Sequence, residues 1–412
     1  MTDCLPMTDT LFPSRPARAL PRLAAFTLTL ALGLAWTATA DAAARKPGKS
    51  GASTTRAALV KTRHQAQPAP AAQAYGERAD LMRFADELAA ARGWEAAPLR
   101  ELLAQARLLP QVQKLMMPPP AGTAKDWGAY RARFVEPRRL QAGLAFWSEH
   151  EAALARAEAQ YGVPAHIVAG VIGVETFYGR IMGGFRVLDA LATLAFDFPS
   201  GRRDRSPFFR EELAEFLALT RREGLDPLTL KGSYAGALGW GQFMPGSWNR
   251  HAVDFDGDGK VDLINSPVDA IGSVAHYLAQ HGWQRGLPTD FAVQAPVDTR
   301  ERARLMGPDI LPSFSAAELE AAGARLDEAG RAHTGPLALI ELQMGDAAPV
   351  YVAGTQNFYA ITRYNQSSYY AMAVIELGRT LAQWRGDAAR PGAAAAPVSA
   401  PPESPAPASS PR

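Results

Sequence analysis

One carboxylate stands out by its surroundings. After Val163-Pro164, the residues Val168, Val171, Ile172 and Glu175 recur at i, i+3, i+4 and i+7, which is one face of a helix. A carboxylate continuing an apolar stripe is desolvated, and Gly179 marks a helix end close by, where the dipole is negative. Both influences raise a carboxyl pKa, as a general acid working near neutral pH requires. The same spacing also suits a boundary glutamate that reaches solvent. A second segment, Gly232-Ser233-Tyr234-Ala235-Gly236-Ala237-Leu238-Gly239-Trp240-Gly241-Gln242-Phe243-Met244-Pro245, sets four glycines among aromatics and one amide. Glycine permits close backbone approach, and aromatic faces with an amide suit a sugar-lined cleft. A glycine-packed helix crossing would use the same residues.

A third segment is rich in acids. Asp254-Phe255-Asp256-Gly257-Asp258-Gly259-Lys260-Val261-Asp262 places carboxylates at loop positions 1, 3, 5 and 9 with glycine at 6, the opening of an EF-hand loop. Lys260 would offer only its backbone carbonyl. Position 12 is Asn265, where that loop needs a bidentate glutamate. A structural Ca²⁺ site is expected, against the alternative of a metal-free Asp/Gly turn.

The elements that must position these groups read mostly as helix. Residues 77–93, 98–108, 138–161 and 208–223 carry apolar residues at three- and four-residue spacing. Ser266-Pro267 starts a helix that runs towards Gly282. Strand signals come late, at Leu337–Leu342, Val350–Ala353 and the aromatic, β-branched Gln356–Thr362, which predicts a small sheet.

Gly173-Val174-Glu175-Thr176 with Tyr178-Gly179-Arg180, then Leu188–Leu194, then Gly232–Pro245 resemble the B-type lytic murein transglycosylases. Trp127–Phe134, Asp269–Gly282 and Phe358–Tyr370 match further blocks in family order, so the resemblance covers about residues 76–385. It implies a mainly α (α+β) fold: a lysozyme-like core over about 160–285, an EF-hand-like loop, a flanking helical part and a small β part. It makes Glu175 the catalytic acid and then base. It places Ser233, Gln242 and Tyr277 in the core cleft, with Tyr130, Tyr364, Asn365 and Tyr370 at other cleft positions. It also suggests Asp269 as the last ligand of a longer calcium loop, beside Asp254, Asp256, Asp258 and Lys260.

The implied activity cleaves the bond between N-acetylmuramic acid and N-acetylglucosamine and leaves a 1,6-anhydro sugar. The expected partners are peptidoglycan glycan strands, with murein synthases as further candidates. A two-carboxylate glycosidase would need a partner for Glu175. Asp189 and Asp197 are nearest in sequence, and Asp189, among helix-spaced apolar residues, reads as structural. A lysozyme-type hydrolase and a non-catalytic murein-binding scaffold are the rival readings. The arginines Arg202, Arg203 and Arg205 read either as a solvated loop or as a contact for stem-peptide carboxylates.

Charge and composition bound the rest. Residues 1–70 hold nine basic against three acidic residues, and the remainder of the 412-residue chain holds 34 against 38. A slightly acidic body argues against nucleic acid, which needs a clustered positive surface. Cys4 is the single cysteine, so an intramolecular disulfide and a cysteine metal cluster are both excluded. Arg15, Arg18 and Arg22 precede an apolar run from Leu23 to Trp36 and two Ala-x-Ala options, which reads as a signal peptide over 1–42. Export to the periplasm is expected, with membrane association by that run as the alternative; it is shorter than the roughly 20 residues a span needs. Residues 43–75 and 387–412, rich in Ala and Pro, read as a disordered linker and tail around a body at 76–386.

Overall fold

The computed structural model describes residues 74–118 and 125–388. The expected leader, nearly all of the linker and nearly all of the tail lie outside the described residues. Helices α1 (Ala79–Arg92), α2 (Ala96–Ala104), α3 (Pro110–Met116) and α4 (Trp127–Arg131) open the body. α5 (Pro137–Glu149), α6 (Glu151–Tyr161) and α7 (Ala165–Thr176) follow. A two-stranded ribbon of β1 (Phe185–Arg186) and β2 (Lys231–Gly232) brackets α8 (Val187–Phe196) and α9 (Ser206–Glu223). α10 (Pro245–His251) and α11 (Pro267–Gln280) complete this part.

The β part comes next. β3 (Asp290–Gln294), α12 (Thr299–Met306), α13 (Ala316–Ala321), β4 (Arg325–Leu326), α14 (Glu328–Ala332), β5 (Ala338–Met344) and β6 (Ala347–Gly354) lead to α15 (Gln356–Tyr364) and α16 (Ser368–Ala388). The sheet is antiparallel in the order β4-β3-β6-β5, with Leu339 opposite Ala353. One side of it closes a small separate core of Phe291, Leu305, Leu319, Leu326 and Leu337. Among the described residues, no helix is long and apolar enough to cross a membrane.

α7 is the hub. Eleven of its twelve residues are buried, so it is apolar on all sides and must be enclosed by other helices. α5, α6, α11 and α16 pack around it. The crossing with α16 depends on two glycines. A Cβ on Gly170 would stand 2.5 Å from the Val374 carbonyl oxygen, and one on Gly378 would stand 2.3 Å from that of His166. The backbones meet where no side chain fits.

Two elements differ from the sequence expectation. Gln356–Thr362, expected as strand, lies in the helix α15. Thr355 caps it by accepting from the Asn357 N–H at 3.0 Å, and Asn357, Phe358, Ile361 and Thr362 turn one face into the core. Tertiary burial on a helical face overrides the β preference of the aromatic and β-branched residues. The single helix expected over 138–161 breaks at His150, because its two halves serve different neighbours. α5 lies against α7 and α16, while α6 lies mainly against α11.

Gly170→Ala should force the α7–α16 backbones apart and cost about 1–3 kcal/mol, as overpacking of a tight core does. Thermal denaturation should show a melting temperature lower by several degrees; an unchanged value would mean that the crossing is not tight.

Candidate active site

α7 ends abruptly just past Glu175. Phe177, Tyr178 and Gly179 take φ of 52°, 56° and 76°, three left-handed residues in succession. Two of them carry side chains, and that conformation costs about a kcal/mol each unless the surroundings enforce it. The enforcement is visible. The Thr176 hydroxyl donates to the Trp240 carbonyl at 2.9 Å and accepts from the Gly179 N–H at 3.0 Å. Arg139 donates to the Gly173 carbonyl at 2.5 Å, which also accepts from the Phe177 N–H at 3.1 Å. The turn thereby locks the last helical residues, Glu175 among them.

Glu175 is buried, 7% exposed as a residue. Burial pushes its pKa up to about 7, against a smaller opposing effect of the Tyr370 hydroxyl, which donates to Oε1 at 2.6 Å. Tyr370 comes from α16, so the helix whose backbone abuts α7 also supplies the hydrogen bond. The cleft beside Glu175 is lined by Gln242, Phe243, Met244 and Ser247, by Arg250 and Tyr277, by Arg363, Tyr364 and Asn365, and by Phe208 and Glu212.

Aromatic side chains form its wall. Tyr364 lies parallel to Tyr370 at 6.4 Å, edge-on to Tyr277 at 4.9 Å and edge-on to Phe243 at 5.7 Å. The Tyr364 hydroxyl donates to the Gly241 carbonyl at 2.5 Å and that of Tyr277 to the Arg363 carbonyl at 2.6 Å. Burial pushes the Tyr277 hydroxyl up to about 12 and that of Tyr364 well above its ordinary value, so both stay neutral donors. Gln242 sits at φ 51°. Its amide N–H groups donate to the Met182 and Gly239 carbonyls at 3.2 and 3.0 Å, so the amide oxygen is the group it offers to the cleft.

Gln242, Tyr277, Tyr364 and Asn365 thus line one cleft with Glu175, and Tyr370 touches the carboxylate itself. Tyr130 stacks on Trp127 at 6.2 Å. It is not among the residues that line the cleft; burial and then the Glu175 charge push its hydroxyl up to about 12. Ser233 is outside this lining. Its hydroxyl accepts from the Ala235 and Ala237 N–H groups at 3.3 and 3.0 Å and shapes the glycine-rich loop.

Asp189 accepts from the Arg107 N–H at 2.9 Å and pairs with Arg186. Asp197 is held by Tyr75 and Arg78. The carboxylate that does share the cleft is Glu212, which the sequence reasoning missed. The signal was there: Phe209, Glu212, Leu213 and Phe216 share one buried face of α9, the same interrupted stripe that marked Glu175. Glu212 accepts from the Gly246 N–H at 2.8 Å through Oε2, at the start of α10; burial raises its pKa, against smaller opposing effects of that bond and of the Arg250 charge.

In the acidic loop, Asp254, Asp256 and Asp269 bring carboxylate oxygens within 4.8 Å of one another. Asp269 is 1% exposed, and burial, with the charge of Asp256 as a smaller contribution, raises its pKa. Three hard oxygen donors in that space fit a calcium-sized cation. Asp258 is not in the trio; it accepts from the Lys260 N–H at 2.8 Å, and Asn265 bonds to Asp262.

A mainly helical, lysozyme-like body that buries one glutamate at a helix end above an aromatic cleft is the architecture of a lytic transglycosylase. Residues 76–379 match the transglycosylase SLT domain, and the chain belongs to that family. It is 42% identical over 316 residues to membrane-bound lytic murein transglycosylase B of Escherichia coli K12, covering 75% of this chain and 84% of the relative. The solved structure of soluble lytic transglycosylase SltB1 from Pseudomonas aeruginosa is 41% identical with a TM-score of 0.68, covering 74% of this chain and 99% of that one. The Escherichia coli lytic transglycosylase Slt35 in complex with calcium is 40% identical with a TM-score of 0.66, over 76% of this chain and 95% of that one.

The raised pKa of Glu175 carries a stability signature. The folded state holds this proton more tightly than the unfolded chain does, so the contribution is complete below about 4.5 and lost as pH rises through about 7. Glu175→Gln removes that loss. The variant should melt well above the parent at about pH 8, by an amount on the order of 3 kcal/mol, and match it at about pH 4. Equal melting temperatures at both pH values would contradict the burial of the charge.

Proposed function

We propose that the protein is an exported lytic transglycosylase that cleaves the β-1,4 bond between N-acetylmuramic acid and N-acetylglucosamine in peptidoglycan and leaves a 1,6-anhydromuramoyl end. The observation that carries this reading is the buried Glu175 carboxyl, its pKa raised to about 7, bonded to Tyr370 in an aromatic cleft. In that state Glu175 can give up a proton near neutral pH and take one back.

Glu175 protonates the glycosidic oxygen as the bond to C1 breaks, and the substrate's own acetamido group stabilises the cationic C1. The carboxylate then accepts the proton of the muramoyl 6-hydroxyl as that oxygen attacks C1. One bond breaks and one forms, the proton passes through Glu175, and no water is consumed. Tyr370 orients the carboxyl, Gln242 offers its amide oxygen to a sugar N–H or hydroxyl, and Tyr277, Tyr364 and Tyr130 present faces to sugar rings. Asn365 contributes a polar edge, and Ser233 acts through the loop that carries Gln242. The engagement of Glu212 with Gly246, and of Asp189 and Asp197 with arginines, supports a mechanism without a second catalytic carboxylate.

The Asp254, Asp256 and Asp269 trio would hold a structural Ca²⁺ in this reading, with Asp258 and the Lys260 carbonyl as further oxygen donors of the same loop. The ion's place is mechanical, since the loop leads into α11, which carries Tyr277. Periplasmic location follows from the leader-like sequence at 1–42, and murein synthases remain the candidate protein partners.

Digestion of purified murein should release muropeptides lighter by one water than hydrolytic products, measured by mass spectrometry. Glu175→Gln should lower the rate on the order of 10²-fold or more. Hydrated products, or a variant within about tenfold of the parent, would overturn the assignment. Millimolar Ca²⁺ added to chelator-treated protein should raise the melting temperature, by about 2.7 kcal/mol of stabilisation at a hundredfold excess over Kd. Mg²⁺ should do much less, and Asp254→Ala with Asp256→Ala should abolish the rise. A melting curve indifferent to Ca²⁺ would remove the metal from this account.

A further inference from the structure

Two unfavourable features meet just past Glu175. The first is the left-handed backbone of Phe177 and Tyr178, at φ of 52° and 56°. The second is a buried cation. Arg139, in the first turn of α5, is 8% exposed, and among the described residues no carboxylate pairs with its guanidinium. Burial lowers its pKa, against smaller opposing effects of Tyr178 and of Glu136, whose carboxylate accepts from the Arg138 and Arg139 backbone N–H groups. Its Nε is buried without a hydrogen-bond partner among the described residues. What holds the group is one carbonyl and two rings. Nη1 donates to the Gly173 carbonyl at 2.5 Å, and the guanidinium lies 4.5 Å from the Phe177 ring centroid and 5.3 Å from that of Phe134. Gly173 lies two residues before Glu175 and Phe177 two residues after it, so one guanidinium grips the chain on both sides of the acid. Ring faces attract a cation from which water is excluded. A buried charge without a carboxylate is nevertheless a poor device for stability alone, since an apolar side chain fills such a space without the desolvation. Strain that the surroundings enforce gathers at functional sites, and here it flanks Glu175.

We propose that Arg139 is a positioning residue for Glu175, a clamp on Gly173 and Phe177 that keeps water from the carboxyl. The inference rests on the reading of Glu175 as acid and base given above. The groups that face the carboxyl are hydroxyls. Tyr370 from α16 donates to it, and Tyr364 from α15 and Tyr130 from α4 feel its charge. All three have raised pKa values and stay neutral. Glu212, Arg250 and Arg363 share the cleft, and Arg180, which is exposed, lies over the Phe177 ring at 5.1 Å. None of these charges, and not that of Arg139, is among the influences on Glu175, whose pKa burial raises against the Tyr370 bond. Arg139 therefore acts on the acid through geometry. The distinction has a sign. A cation that acted by charge would favour the carboxylate, so its removal would raise the Glu175 pKa. Removal of a clamp frees the end of α7, lets water reach the carboxyl and lowers the pKa towards 4.5.

The test is the Glu175 titration, followed by ¹³C NMR, in Arg139→Met, which keeps an unbranched side chain and removes the donor and the charge. The midpoint should fall by about one unit or more, and the basic limb of kcat for murein cleavage should fall with it. A drop of about one unit leaves roughly a tenth of the carboxyls protonated at about pH 7 instead of about half, so kcat there should fall about fivefold with KM little changed. Arg139→Lys should lie in between, because an ammonium can donate to the Gly173 carbonyl but lacks the planar face that stacks on the rings. Phe177→Leu leaves Arg139 in place and removes one ring; it should lower the midpoint too, and it decides the matter if Arg139→Met does not fold. A midpoint unmoved in these variants, even with a lower melting temperature, would overturn the clamp and leave Arg139 a structural residue. A raised midpoint would overturn it in favour of an effect of charge. Failure of the unaltered protein to cleave murein would instead overturn the acid–base reading, while the titration, which needs no substrate, still decides the clamp.

Discussion

Removing the Glu175 carboxyl from water is the constraint to which the rest of the body answers. A carboxylate in an apolar setting must be neutralised, paired or bonded, and among the described residues only the Tyr370 hydroxyl bonds to it. Burial outweighs that single hydrogen bond, so the group keeps its proton to about neutral pH. The α7–α16 crossing produces both effects at once. Gly170 and Gly378 let the backbones touch, which encloses the face of α7 and carries the Tyr370 hydroxyl to Oε1. A looser crossing would admit water and lose the bond together.

The wall of the cleft follows a second economy. Tyr277 and Tyr364 spend their hydroxyls on backbone carbonyls, so what they turn to a ligand is ring rather than polar tip. The Tyr364 bond to Gly241 also ties α15, from the C-terminal part of the chain, to the glycine-rich loop that carries Gln242. The acidic loop connects to the same wall through α11, whose first turn is capped by Ser266 and holds Asp269. Acid, wall and loop are therefore supported by helices that are far apart in sequence but share one core.

Much of this was legible along the chain, and the reason is periodicity. The stripe ending in Glu175 and the acid spacing from Asp254 are local patterns, and local patterns survive without coordinates. The late sheet was partly legible: β5 and β6 lie where β-branched runs predict them, whereas Gln356–Thr362 folds as helix because its partners, the core face and the loop bonded by Asn357, lie outside the window. The break at His150 is of the same kind, since it is set by which helices α5 and α6 meet. Glu212 has a local signal of the same kind, a carboxylate within the buried face of α9, but nothing local shows that α9 brings it to the cleft of Glu175. The contact of Tyr370 with Glu175 spans 195 positions, and no local rule reaches that far.

The most direct test of the central claim is a site-specific titration of the Glu175 side chain by ¹³C NMR, with Glu175→Gln identifying its resonance. A midpoint near 7 is the expected result. A midpoint at the ordinary glutamate value of about 4.5 would show that water reaches the carboxylate in the free protein, and it would contradict an acid made by burial.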